Sequence, residues 1–226
     1  MSKLEEPTNE ASAMQKEISA IAEQGGGRAT KVEQLIQQHC PNGVEWILLG
    51  NACDIHTGKG ITKKDSNPND CYPIISGGKE PMGLYSAYNR AENTITISRV
   101  GANAGYVNYI TQKFYLNDKC FSVIPVGEYN NLIDSKYLFY YLKNIENSIT
   151  ALQSEGGVPT INTQKLSSIS IPVPPLPVQE EIVRILDNFA ELQAELQAEL
   201  QKRLQQYNYY RDKLLTFNEL NRGGMT

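Results

Sequence analysis

The sequence has few residues of the kinds that bind metals or form disulfide frameworks. Its four cysteines are scattered without a Cys-x-x-Cys pair, and its only histidines are His39 and His56. Because zinc sites need several such residues at short, regular spacings, we predict no metal site. Sparse, irregularly spaced cysteines are typical of proteins in a reducing compartment, so the predicted location is the cytoplasm.

Long apolar runs and catalytic motifs are missing as well. No apolar stretch approaches the roughly 18 residues that a membrane-spanning helix needs, and the polar N-terminus lacks a signal-peptide core. Thr57-Gly58-Lys59-Gly60 has neither the spacing nor the hydroxyl residue of a phosphate-binding loop, and no serine nucleophile elbow is present. We therefore predict neither a membrane partner nor catalytic residues, which suits a protein that recognises something else.

What the sequence does contain is a repeated tetrapeptide, Ala-Glu-Leu-Gln, which occurs three times in succession from Ala190 to Gln201. It lies within a helical pattern that we read over residues 178–217. The apolar spacing is coiled-coil-like in its first part and contains a stutter in its second. A helix of this length exceeds what its own domain can cover, so we predict that a second helix covers its apolar stripe, although folding back on its own domain stays open. The predicted stripe is Ile182, Ile185, Phe189, Leu192, Leu196, Leu200, Leu204 and Tyr207.

The residues before this helix predict a mixed α/β (α+β) domain. Period-two alternation indicates a strand at Thr94–Arg99, and further strands are expected at Tyr106–Ile110 and Cys120–Ile124. Helices are expected from Thr30 to before Pro41 and over Ser135–Leu142. The order of the strands in the sheet does not follow from these patterns.

Five segments are predicted along the chain. Proline fixes the backbone dihedral φ and removes an N–H donor, so the proline-rich segment is expected to be an extended strut outside any sheet interior or helix. The segments are 1–30, a polar arm with a possible short helix and a glycine linker; 31–170, the mixed domain; 171–177, the strut; 178–217, the long helix; and 218–226, a flexible tail.

Several motifs together resemble the specificity subunits of type I restriction-modification systems. In the mixed domain these are Cys40-Pro-Asn-Gly-Val-Glu-Trp46, Tyr72-Pro-Ile-Ile-Ser-Gly-Gly78 and Ile95-Thr-Ile-Ser-Arg-Val-Gly101. Gly156-Gly-Val-Pro-Thr-Ile-Asn162 and the run from Ile171 to Leu186 continue the likeness into the long helix. The resemblance covers roughly residues 31–217, and the order of the motifs is more specific than any one of them.

The resemblance implies a target-recognition domain that binds double-stranded DNA and has no catalytic activity of its own. It implies partners too: methyltransferase subunits that carry S-adenosylmethionine, and a restriction and translocation subunit. Usual members hold two recognition domains and two conserved helical regions, whereas this chain holds one of each. We therefore expect a homodimer joined through the long helices that reads an interrupted palindrome. In the resembling family, tetrapeptide repeats act as a spacer between the two domains, and we hypothesise this role for the Ala-Glu-Leu-Gln copies.

The DNA-contacting residues are predicted from charge and loop position. Residues 56–119 carry eight basic side chains against five acidic ones, although the whole chain has a net charge of −4. The lysines are expected to meet phosphates, whereas Arg99 and Asn103, which flank a glycine turn, are expected to reach base edges. Alternatively, Arg99 holds the turn by pairing with a carboxylate. The predicted set is Lys59, Lys63, Lys64, Lys79, Arg99, Asn103 and Lys119.

Two other functions remain open at this point. A coiled-coil scaffold with a protein-binding head would need the long helix but would not bind DNA selectively. An enzyme with an unrecognised site would need paired carboxylates in a pocket, for which Asp65, Asp70 and Glu80 are the nearest candidates.

Overall fold

A computed structural model of the chain describes residues 31–154 and 156–215. The predicted N-terminal arm, its glycine linker and the C-terminal tail lie outside the described residues. The described chain forms two compact units that meet between Ile182 and Val183. We call the described residues up to Ile182 the head and Val183–Leu215 the rod. The helices are α1 Lys31–His39, α2 Leu49–Ala52, α3 Ser135–Asn144, α4 Glu146–Thr150, α5 Thr163–Ser167 and α6 Leu176–Leu215, with short 3₁₀ helices at Lys63–Asp65 and Gly127–Asn131.

The head contains three small sheets. The largest has the strand order β2-β8-β5-β6 and is antiparallel throughout. A second sheet has the order β4-β3-β7, with β3 antiparallel to β4 and parallel to β7. The strands are β1 Glu45–Leu48, β2 Cys53–Thr57, β3 Tyr72–Ile75, β4 Leu84–Tyr85, β5 Thr94–Ser98, β6 Val107–Ile110, β7 Tyr115–Leu116, β8 Cys120–Pro125 and β9 Ser170–Val173.

The central strand β5 explains why the head has two apolar clusters. Its alternating side chains point to opposite faces of the sheet, and all five residues are buried. Ile95 and Ile97 face the larger cluster, which includes Leu138 and Leu142 of α3. On the other face lies a smaller cluster, which contains Phe114 and residues of β3, β6, β7 and β8. Both faces of the sheet are therefore covered, and the loops between the strands emerge at its edges.

The predicted strands and the helix at residues 135–142 are confirmed, with ends that differ by one or two residues. The Asp134 side chain caps α3 by accepting hydrogen bonds from the backbone N–H groups of Lys136 and Tyr137, both at 2.8 Å. The Tyr137 hydroxyl donates to the carbonyl oxygen of Pro172 at 3.1 Å, and burial raises the pKa of this tyrosine to about 12. Tyr137 is therefore a residue of the core.

The proline-rich strut at 171–177 was wrongly predicted. Its first residues belong to β9, which pairs antiparallel with β1, so that Pro172 lies opposite Trp46. A two-stranded sheet has only edge strands, and an edge tolerates the missing N–H of proline. The last two residues, Leu176 and Pro177, open α6, where the first turn of a helix needs no N–H donor. The segment thus joins a strand directly to a helix.

The long helix is confirmed, and it begins two residues earlier than the predicted Val178. Its predicted end at residue 217 lies beyond the described residues. Val178, Gln179 and Glu181 are buried within the head. From Phe189 onward the predicted stripe is solvent-exposed, and Leu200 is 65% exposed. Over the described residues, no helix combines the length and apolarity that crossing a membrane requires.

Candidate nucleic-acid interface

Hydrogen bonds join four loops of the head, and one buried asparagine makes several of these bonds. Asn117, which is 1% exposed, donates from Nδ2 to the carbonyl oxygen of Ile61 at 2.8 Å, and its Oδ1 accepts from the backbone N–H of Lys119 at 3.2 Å. Its own backbone N–H donates to Ile75 at 2.8 Å, and its carbonyl accepts from Gly58 at 3.2 Å. We call residues 58–65, 76–80, 99–105 and 117–119 the reading loops.

Two glycines let these loops approach one another closely. A Cβ atom on Gly58 would lie 1.7 Å from the carbonyl oxygen of Leu116, and one on Gly77 would lie 2.4 Å from that of Val100. Any larger residue at either position would force the loops apart. These glycines therefore shape the surface.

The reading loops contain every predicted DNA-contacting residue. The Lys59 backbone donates to Leu116 at 3.2 Å, and the Arg99 backbone donates to Lys119 at 2.9 Å. The Asn103 side chain lies 3.5 Å from the carbonyl oxygen of Gly77, which places it beside the loop that carries Lys79. All five predicted lysines are exposed, whereas Arg99 and Asn103 are half-buried. The structure thus places the predicted residues on adjacent loops.

Arg99 is held on its turn without a carboxylate partner in the described contacts. Its guanidinium Nη1 donates to the backbone carbonyl of Asp118 at 3.3 Å and lies over the ring of buried Phe121, with its central carbon 5.9 Å from the ring centroid. The expected alternative, a carboxylate pair, is therefore not the arrangement found. A guanidinium has five N–H donors, so a positioned arginine of this kind can also bind an acceptor outside the protein.

The charge of the reading loops is positive. They carry six basic side chains, Arg99 and the five predicted lysines, against Asp65, Glu80 and Asp118. Arg90, which contributed to the surplus counted from sequence, is half-buried and engaged within the head. It donates to the Ser122 hydroxyl at 2.9 Å and to the carbonyl oxygen of Asn89 at 2.8 Å, and burial lowers its pKa. A local surplus of three positive charges therefore remains without Arg90, and such a surface attracts anions.

The candidate carboxylates are not assembled into one site. Asp65 caps its own 3₁₀ turn: its Oδ2 accepts from the backbone N–H and the hydroxyl of Thr62 at 2.7 and 2.8 Å, and these bonds lower its pKa. Glu80 lines a surface cavity with Lys79 and Tyr106, whereas Asp65 and Asp70 do not line it. Within residues 31–154 and 156–215, no three His, Cys, Asp or Glu side chains are grouped so as to hold a metal ion.

Sequence reasoning missed two parts of this surface. One is Asn117, whose neighbours along the chain give no sign that it holds loops together. The other is the loop at residues 156–160, which lies against the turn at Arg99: the backbone of Gly101 donates to Pro159, and that of Ile161 donates to Arg99, both at 2.9 Å. Its tip, Val158, is 64% exposed. The motif Gly156–Asn162 signalled this loop in the sequence, but not that it lies beside Arg99.

The rod presents the second feature available to a partner. The predicted stripe is half-buried at Ile182 and Ile185 and exposed from Phe189 to Tyr207. An i, i+4 ion pair joins Arg203 and Glu199 at 2.9 Å, and it lowers the pKa of Glu199. Because both groups are exposed, the pair adds little to stability. The rod thus carries a row of exposed apolar side chains from Phe189 to Tyr207, and exposed apolar surface of this extent is typical of protein-binding surfaces.

Comparison with known proteins identifies the family. Residues 41–206 match the model of the type I restriction modification DNA specificity domain. A putative type I specificity subunit of Mycoplasma pneumoniae is 35% identical over 171 residues, which cover 74% of this chain and 46% of the relative. The specificity subunit of the Escherichia coli type I restriction enzyme EcoR124I/EcoR124II is 31% identical over 191 residues, 78% of this chain and 45% of the relative.

Solved structures show the same fold. The S subunit of a type I restriction-modification system from M. genitalium aligns with a TM-score of 0.62 at 22% identity, covering 79% of this chain and 48% of that one. The HsdS subunit of Thermoanaerobacter tengcongensis aligns with a TM-score of 0.53 at 22% identity, covering 83% and 50%. The chain spans about half the length of the curated relatives and structures that it matches. The chain belongs to the type I restriction-modification DNA specificity family.

Proposed function

We propose that the head binds double-stranded DNA through the reading loops and the adjoining loop at residues 156–160. The observation that carries this proposal is that six basic side chains and Asn103 lie on four loops joined by hydrogen bonds, some of which are made by buried Asn117. Specificity subunits are the non-catalytic components of type I systems, and the dispersed carboxylates agree with that role. No cofactor is proposed for this chain.

Each class of reading-loop residue has its own task in this proposal. The exposed lysines Lys59, Lys63, Lys64, Lys79 and Lys119 neutralise phosphates, which gives affinity without sequence information. Arg99 donates to the acceptor edge of a guanine, and Asn103 bonds the edge of an adenine. The contacts of Arg99 with Asp118 and Phe121 would hold its guanidinium ready for such a bond.

The rod joins two copies of the chain in this proposal. Its exposed leucine stripe suits a second identical helix, which would bury the same residues from both copies. Two heads related by a twofold axis would then read the two halves of an interrupted palindrome. The Ala-Glu-Leu-Gln copies act as the spacer between the heads.

The dimer would work with partner subunits. It would recruit methyltransferase subunits that carry S-adenosylmethionine and a restriction and translocation subunit. The described cysteines are free thiols, which supports a location in the reducing cytoplasm.

The proposed function is tested by reconstitution. Purified chain and its neighbouring methyltransferase are added, separately and together, to DNA with labelled S-adenosylmethionine. Site-specific methylation that needs both proteins is the expected result. Binding to partner proteins without any DNA dependence would support a scaffold instead, and turnover by the chain alone would support an enzyme.

The spacer role is tested by removing one repeat. Deleting Ala194–Gln197 shortens a helix by about 6 Å, whereas one base pair of DNA rises by about 3.4 Å. We therefore expect the gap between the two half-sites to shrink by a whole number of base pairs while the half-sites stay the same. The positions of methylated bases report this directly. An unchanged gap would contradict the spacer role.

A further inference from the structure

The first turn of α6 carries a glutamine whose buried amide is bonded on every side. Gln179 is 0% exposed. Its Oε1 accepts from the backbone N–H of Asp134 at 2.8 Å, and its Nε2 donates to the carbonyl oxygens of Leu132 and Pro174 at 2.7 and 2.6 Å. An amide has two N–H donors and one acceptor oxygen, so these bonds use both donors and the acceptor. The side chain thus fits its surroundings in one orientation.

These bonds join three separate segments of the head. Asp134 is the N-terminal cap of α3, Leu132 precedes it, and Pro174 lies between β9 and α6. Tyr137 of α3 makes a second connection through its hydroxyl bond to Pro172 at 3.1 Å. Two sets of hydrogen bonds, those of Gln179 and that of Tyr137, therefore join the beginning of α3 to the segment that leads into the long helix.

A third contact lies on the next turn of α6. Lys31 of α1 forms an ion pair with Glu181 at 2.8 Å, and the Glu181 side chain is only 4% exposed. Because α1, α3 and the proline segment all hold residues 179–181, the head fixes the first turn of α6 from several directions.

Gln179 lies at the start of a long helix, so a small change in the direction of the helix at Gln179 displaces residues far along it. Leu196, in the middle of the predicted stripe, is 17 residues further along, or about 26 Å at 1.5 Å per residue. A tilt of about 10° at Gln179 would move Leu196 by about 4.5 Å relative to the anchor, more than the ~3.4 Å rise of one base pair. A small change in the direction of α6 at Gln179 therefore displaces Leu196 by as much as the rise of one base pair.

We propose that Gln179 is a positioning residue that sets how strictly the protein accepts one gap length between half-sites. The inference rests on the proposed function, because only a bipartite DNA reader has a gap to measure. Gln179 touches no DNA in this scheme. It acts by fixing the start of α6 to α3. Its loss would widen the range of accepted gaps.

The test compares methylation of duplexes that differ only in gap length: the preferred gap, and one base pair shorter or longer. Gln179→Glu keeps the size of the side chain and places an oxygen where an N–H faces two carbonyl groups. Gln179→Met keeps the shape and removes all three bonds. Gln206→Glu is the matched control, since it makes the same change at an exposed position of the same helix. We expect both Gln179 variants to raise the ratio of off-gap to preferred-gap methylation about tenfold, the scale of losing one buried hydrogen bond, and the control to leave it unchanged.

A milder variant keeps the test decisive if the Gln179 variants do not fold. Tyr137→Phe removes only the hydroxyl bond to Pro172 and is expected to raise the same ratio about threefold. If the folded variants lower methylation equally at every gap, or if Tyr137→Phe leaves the ratio unchanged when the Gln179 variants do not fold, the inference is overturned. Such results would leave the proposed function intact, because the wild-type chain would still direct methylation. Absence of directed methylation by the wild-type chain would instead overturn both.

Discussion

The head and the rod differ in where their contacts come from. In the head, β2 pairs with β8 and β1 with β9, so strands far apart in sequence close the structure. In the rod, the described hydrogen bonds and ion pairs are local, as in the i, i+4 pair of Arg203 and Glu199. The head can therefore hold its loops by itself, whereas a helix with an exposed leucine stripe gains most of its stability from a partner.

The difference assigns separate tasks to the two regions. Changes in the rod should alter assembly and spacing without altering which bases are read. Changes in the reading loops should alter base reading and affinity without altering assembly.

Charging the stripe should abolish dimerisation. In the double variant Leu196→Glu, Leu200→Glu, four carboxylates would lie in the seam of the proposed dimer, where burying unpaired charge is costly. We expect a monomer by light scattering and a drop in methylation of bipartite sites of at least about 100-fold, because each close pair of like charges opposes assembly. The control, Ala194→Glu with Ala198→Glu, adds the same charge on the opposite side of the helix. Equal loss of assembly in the control would contradict the assignment of the stripe.

Removing the guanidinium of Arg99 should weaken reading of one base pair. A bidentate contact to guanine contributes about 1 to 3 kcal/mol of discrimination, so Arg99→Ala should lower cognate methylation by about 10- to 100-fold. Light scattering should still find a dimer. The exposed residue Lys165, replaced by alanine, serves as the control outside the reading loops. A variant that keeps full cognate methylation would remove Arg99 from the base-reading set.

Neutralising the lysines should have a smaller and more uniform effect. Each of Lys59→Gln and Lys119→Gln should weaken binding to cognate and unrelated DNA alike. Each should also reduce the slope of log affinity against log salt concentration by about 1, because one fewer phosphate is neutralised. Binding titrations at several salt concentrations measure both quantities. A change confined to cognate DNA would mean that the lysine contacts bases.

The smallest expected effect concerns thiol labelling and leaves activity unchanged. Burial raises the pKa values of the Cys53 and Cys120 thiols to about 12, with a further contribution from Asp54 at Cys53. Both are therefore protonated and inaccessible at pH 8, and an alkylating reagent should modify exposed Cys71 first. The double-charge variant of the rod should show the same protection, as measured by mass spectrometry. Loss of protection there would mean that the head depends on the rod for folding.

Local patterns in the sequence predicted the elements that form through local preferences. The alternation in β5 and the helical pattern of Ser135–Leu142 lie within the elements that they specify, so both a strand and a helix could be placed. The prediction of a strut was wrong because residues 171–173 belong to β9, which forms by pairing with β1, and β1 lies more than a hundred residues earlier in the chain. The fixed φ angle and missing N–H of proline do not indicate that β1 is the pairing strand.

The sequence indicated which residues to consider for the candidate interface, but not which of them lie next to one another. Loop position and charge selected the lysines and Arg99, whereas the charge surplus of residues 56–119 also counted Arg90, which is half-buried and bonded to Ser122. The hydrogen bond from Asn117 to Ile61 joins residues 56 positions apart, and no local pattern encodes it. Family resemblance supplied the expected function, and the geometry supplied the neighbours of each residue.

Mapping the methylated bases in DNA modified by this chain and its methyltransferase tests the central claim most directly. Two identical heads joined by the rod predict an interrupted palindrome: two half-sites with the same sequence on opposite strands, separated by one gap length. An asymmetric site, or a single uninterrupted site, would contradict the account.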